Sequence, residues 1–186
     1  MEQTLKMYEA VFAPFGGRLI RDKADKWWEL ETTDFVLGIE LYGSRAQPGY
    51  RLEVACAVCH KELSGIAAKV MGCAANMPNS FKYEQTEREV ETLDGAELVY
   101  QKIIEEKLKE IQSIDMRGVI KELAANCPDQ PYMRQIMHLA SLAYLGDFTT
   151  LMDYQKIFER GYRLNFIPAI DKSMIDRATE IAIERA

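Results

Sequence analysis

Apolar positions change their spacing along this chain, and the changes mark out its elements. Over residues 2–13 they recur at helical intervals: Leu5, Tyr8 and Phe12 form a stripe that Val11 widens, and Pro14 with Gly16-Gly17 ends it. The interval then shortens to every second residue. Strands are predicted over 17–22, 26–31 and 35–42, the last with Phe35, Leu37, Ile39 and Leu41 on one face. Residues 32–34 read as a tight turn and 43–49 as a loop. A further strand over 50–58 puts Leu52, Val54, Cys56 and Val58 on one face, with Arg51, Glu53, Ala55 and Ala57 on the other. Consecutive strands with short connections predict an antiparallel meander.

After His60 the helical interval returns. Leu63, Ile66, Ala67, Val70, Met71 and Ala74 predict a helix over 62–75. Residues 81–92 are polar and fit either a short strand or an exposed linker. A helix over 94–113 takes Asp94 as its cap and buries Ala96, Val99, Ile103, Ile104, Leu108 and Ile111. The last third reads as helices: 115–125; 129–145 with Asp129 as cap and Gly146 as stop; one opened by a Thr150/Asp153 capping box and closed at Gly161; and one opened by Asp171 or Ser173. The fold class is therefore α+β, an antiparallel sheet of three to five strands packed with helices and followed by a helical C-terminal part. One globular unit over 1–186 is expected, with any subdivision falling between 1–113 and 114–186.

Charge narrows the classes of partner. The chain has 186 residues and a formal net charge of -6, and neither half is basic. Binding through phosphates needs a positive surface, so nucleic acid is not expected. No apolar run approaches the roughly 20 residues of a membrane span. The first residues do not read as a secretory signal, and four cysteines suit a cytoplasmic protein with free thiols.

Candidate chemistry is sparse. Cys56, Cys59 and His60 match the C-x-x-C-H pattern of haem attachment, but strand alternation sends the two thiols to opposite faces. With Cys73 the same residues could supply four zinc ligands, although the pair lacks the glycine knuckle such sites use. Dithiol redox chemistry would want Cys56 exposed near a helix start. Packing is the preferred reading, with no cofactor and no metal. Adjacent on one strand, Trp27 and Trp28 send one ring to the core and the other outward, where it could line a ligand groove or meet a protein. Arg45 and Arg51 flank the 43–49 loop and could grip a carboxylate. These four residues are the protein-binding candidates. Glu29, Glu40 and Glu53 sit on neighbouring strands and are the acid/base alternative, for a small-molecule enzyme or sensor with a cleft between the sheet and the C-terminal helices. His138, inside a strong helix, reads as a helix-surface or packing residue. Phosphate-loop, dinucleotide, serine-hydrolase and zincin motifs are all missing from the sequence.

One resemblance joins these features. The opening helix through Phe15, the stretch Lys26-Trp27-Trp28-Glu29-Leu30, residues 34–40 and Arg51-Leu52-Glu53-Val54 together resemble the layout of small bacterial α/β proteins of unknown function. That group includes the immunity proteins of interbacterial toxin systems. The resemblance covers about a third of the chain and implies a cytoplasmic, acidic protein that binds a protein partner and has no enzyme activity.

Overall fold

A computed structural model describes residues 2–22, 25–73, 80–129 and 131–186. In chain order the elements are α1 (Glu2–Phe12), β1 (Arg18–Asp22), β2 (Asp25–Glu31), β3 (Phe35–Arg45), β4 (Tyr50–His60), α2 (Lys61–Met71), β5 (Lys82–Val90), α3 (Ala96–Gln112), α4 (Met116–Ala125), α5 (Tyr132–Tyr144), α6 (Phe148–Glu159) and α7 (Lys172–Arg185). The fold is α+β, as the periodicities predict. Contacts divide the chain into two units, residues 1–58 with 82–114 and residues 59–81 with 115–186. The sequence suggests only one division, near 113. In addition, 59–81 is grouped with the helical unit, because the apolar stripe of α2 is buried among residues of the later helices.

The first unit is a five-stranded antiparallel sheet in the order β1-β2-β3-β4-β5. Side-chain alternation gives it one face covered by α1 and α3. Leu30, Leu37, Ile39, Leu41, Leu52, Val54 and Cys56 lie on that face and are buried. Tyr8 on α1 both donates to the Leu41 carbonyl and accepts from the Leu41 N–H. Phe12 stacks on Trp28 with ring centroids 4.7 Å apart. Tyr100, absent from the predicted buried set, is 1% exposed, and its hydroxyl donates to the Tyr42 carbonyl at 2.6 Å. Val99 and Leu108 are only half-buried.

Two sheet features differ from the sequence reading. First, β3 continues through Arg45, and the expected 43–49 loop shrinks to a tight turn in which the Ala46 N–H donates to the Gly49 carbonyl at 3.0 Å. Gly43 and Ser44 carry no apolar signal, so periodicity ends before the strand does. Second, the ambiguous 81–92 stretch is β5, an edge strand paired along its length with β4. Charge stands in for hydrophobicity there. Lys82 and Lys107 each contact both Glu84 and Glu110, at 2.7 to 3.1 Å, and this ring of four ties β5 to α3.

In the second unit, α2 and α4 to α7 enclose a separate core that includes Leu63, Ile120, Ile136, Leu139, Leu151 and Ile175. Helix α5 is its centre, with nine consecutive buried residues from Gln135 to Ala143. Helix starts follow local chemistry, with three changes from the predicted caps. Asp115 and Asp171 cap α4 and α7 by accepting from Gly118 N–H and Met174 N–H. For α6 the cap is Asp147, which accepts from the Thr150 N–H, so the helix opens at Phe148 rather than after a Thr150/Asp153 box. Pro131, not Asp129, precedes α5, and Gly95, not Asp94, precedes α3.

Among the described residues, one buried side-chain polar atom, the Ser141 hydroxyl on α5, has no hydrogen-bond partner. An unmatched buried hydroxyl is unfavourable, and alanine is the better helix former. Ser141→Ala is therefore expected to raise stability by about 1 kcal/mol, seen as a higher urea midpoint with an unchanged slope.

Candidate functional site

On the face of the sheet opposite α1 and α3, alternation exposes a set of charged and aromatic side chains. The turn pairing of Ala46 with Gly49, extended along both strands, puts Tyr42 opposite Glu53 and Glu40 opposite Ala55. An ideal Cβ on Gly38 would lie 3.9 Å from the Cβ of Ala57, in agreement with that register. Together with the β1-β2, β2-β3 and β4-β5 registers, this collects Glu29, Glu31, Glu40, Glu53, Glu87 and Glu89 on one face, against Arg18 and Arg51. Gly38, Ala55 and Ala57 form a low centre. Trp27 packs beside Gly38, and Tyr42 and Tyr83 stand exposed nearby, Tyr83 at 61%.

The two tryptophans divide as their adjacency predicts. Trp28 belongs to the helix-covered face, where it stacks on Phe12 and its indole N–H donates to the Gly16 carbonyl at 2.7 Å. Trp27 belongs to the acidic face, opposite Ile20. The acid/base candidates share the acidic face, and two of them have partners there. Glu29 accepts from Arg18 at 2.5 and 2.9 Å, and Glu40 accepts from the Tyr42 hydroxyl. Glu53 lies opposite Tyr42 on β3 and Glu87 on β5. Arg51 pairs with Glu87 at 3.5 Å and Glu89 at 3.8 Å. Arg45, one residue out of phase with Arg51, stands on the opposite side of the sheet. It has no ion pair among the described residues.

The thiols and His60 have separate environments. Cys56 is 1% exposed, and burial pushes its thiol up to about 11, so it is a poor nucleophile at neutral pH. Cys59 is buried and Cys73 exposed. The His60 ring accepts from the Leu63 N–H at 3.3 Å and thereby caps α2, a role for which its place before Lys61-Glu62-Leu63 was the available signal. Among the described residues, no three of His, Cys, Asp and Glu converge as a metal-ligand set.

The second unit holds a buried polar network around His138, which the sequence leaves open between helix surface and packing and which is buried. His138 is 1% exposed, with Nδ1 2.8 Å from the Leu123 carbonyl and Nε2 3.1 Å from the Tyr154 hydroxyl. A carbonyl only accepts, so Nδ1 carries the proton and Nε2 accepts from Tyr154. Burial lowers the imidazole below its usual 6.5, with the Leu123 carbonyl opposing that shift. Protonation is thus easier in the unfolded chain. The stabilising contribution is full above pH 6.5 and is lost as pH falls toward the folded value. The melting temperature is expected to drop as pH falls below about 6.5. His138→Asn should lower it at neutral pH and flatten that decline.

Cys127, half-buried, is also pushed up to about 11 by burial. Nearby, Gln135 is fully buried and spans three chain segments, and Arg163 donates to the carbonyls of Ile167, Pro168 and Ile170 while lying over the Phe158 ring. These contacts hold the 161–170 connection in place. No described helix is long and apolar enough to cross a membrane.

No curated protein and no solved structure gives a match to this sequence. Residues 9–183, nearly the whole chain, match the model of a family of unknown function, DUF6990, and the chain belongs to that family.

Proposed function

We propose that the protein acts by binding another protein through the acidic face of its sheet, without chemistry of its own, in the manner of immunity proteins that neutralise interbacterial toxins. The observation that carries this reading is the composition of that face. Six glutamates against two arginines, with Trp27, Tyr42 and Tyr83 among them, give a negative field together with aromatic contact area. Charge of one sign steers an oppositely charged partner and rejects like-charged ones, while aromatic side chains supply contact area at small entropic cost. The partner is therefore a protein with a basic surface. A net charge of -6 also disfavours nucleic acid, and the four free thiols favour the cytoplasm.

Capture from extract by the tethered full chain tests this, with a Glu53→Lys/Glu87→Lys variant beside it. Support is one or a few basic proteins held at low salt, released at about 0.5 M salt and missed by the variant. Proteins held equally by both, or none held, would reject the acidic face as the binding surface.

A further inference from the structure

A pocket of about 360 Å³ opens at the turn end of the first unit, on the helix-covered side of the sheet. Its floor is apolar: Leu41 and Leu52 from the sheet, Ala96 and Tyr100 from α3, all buried. Met7 of α1 and the half-exposed Leu93 form its walls. The Tyr100 hydroxyl is already used by the Tyr42 carbonyl, so the floor offers little polarity. Arg45 also lines the pocket, with Ser44 and Tyr50. Alternation along β3 puts its side chain on the same side as Leu41 and Gly43. The nearby Arg51 is paired with Glu87 and Glu89 on the other side, whereas Arg45 has no ion pair among the described residues.

We infer that this pocket binds a small apolar monocarboxylate, with the hydrocarbon body on the Leu41–Leu52–Tyr100 floor and the carboxylate at the Arg45 guanidinium. The volume lies at the lower end for small-molecule sites, which limits the ligand to a short or medium chain. An apolar cavity with one convergent charge selects a ligand having one charged end. Guanidinium and carboxylate match as two parallel hydrogen bonds, so charge and geometry favour the same head group. This site is separate from the acidic face, and the two readings stand or fall independently.

Calorimetric titration of the full chain with sodium octanoate, octan-1-ol and octylamine tests the assignment. Octanoate is expected to bind about tenfold or more tightly than either neutral or cationic analogue, and Arg45→Gln should reduce it to the level of octanol. Arg45→Lys should restore part of the difference. Leu93→Glu is a second probe. Leu93 is 51% exposed, so the substitution leaves the fold intact while bringing a negative charge to the wall, and octanoate should weaken more than octylamine. Octanoate binding no better than octanol, octanoate binding unaffected by Arg45→Gln, or no octanoate binding at millimolar concentration would each overturn the proposal.

Discussion

Gln135→Glu is expected to destabilise the helical unit by about 4 kcal/mol at neutral pH, enough to unfold a marginal protein. Gln135 is 0% exposed. Its Nε2 donates to the carbonyls of Pro128 at 2.7 Å and Asn165 at 2.8 Å, with Asp129 at 3.3 Å. Its Oε1 accepts from the Ile167 N–H at 3.0 Å. The partners fix the amide orientation, because carbonyls cannot donate and an N–H cannot accept. A glutamate would put one carboxylate oxygen in place of that amide nitrogen, facing the Pro128, Asp129 and Asn165 carbonyl oxygens inside an apolar core. Its carboxyl would be raised above the ordinary range by burial and by those carbonyls. The defect is therefore largest above that raised value and eases as pH falls, when the acid can donate one hydrogen bond. Gln135→Ala keeps the core neutral but leaves the Ile167 N–H and the carbonyls unmatched, at a cost of about 3 kcal/mol with little pH dependence. Urea titrations of the three proteins at two pH values separate the effects. Equal losses for both variants at both values would show that charge plays no part.

The contrast between Gln135 and the sheet shows which parts of this fold were legible in the sequence. Phe35 to Leu41 and Leu52 to Val58 alternate because one face meets helices, and that alternation is local information. β5 has no such signal. Its Lys82 and Glu84 are held by Lys107 and Glu110 of α3, more than twenty residues away in the sequence, and a charge pairing at that distance leaves no periodic trace. The same holds for the division of the chain: the stripe of Leu63, Ile66 and Val70 announces a helix but not which core will bury it. At the candidate site, Trp27 and Trp28 were separable by adjacency alone. Arg45 and Arg51 looked like two ends of one loop. Once β3 is known to run through Arg45, their opposite phase sends one to the acidic face and the other to the apolar pocket. The buried Gln135 and His138 were hidden because a polar residue within an apolar helix has no sequence mark that tells surface from core.

The turn between α1 and β1 carries the second large effect, and it distinguishes two glycines that look alike in sequence. Gly16 has φ +72° and Gly17 has φ +91°, the left-handed region in both cases. A Cβ on Gly16 would meet nothing within 4 Å, so Gly16→Ala incurs backbone strain alone, about 1 kcal/mol. A Cβ on Gly17 would lie 2.4 Å from the Glu29 carbonyl oxygen, 2.5 Å from a Leu30 methyl and 2.7 Å from the Trp28 indole nitrogen. The first of these is backbone in the middle of β2 and cannot yield without breaking the β1-β2 pairing. Gly17→Ala is thus expected to cost about 3 kcal/mol or more, combining φ strain with displacement of the strand. Its local signature follows from the Trp28 contacts. The indole N–H would lose the Gly16 carbonyl and the ring its stack on Phe12, so tryptophan emission should shift to the red before global unfolding. Gly16→Ala should leave the emission unchanged. If the two variants lose the same stability and both keep the native emission, strain at positive φ accounts for everything, and the close approach of Gly17 to β2 contributes nothing.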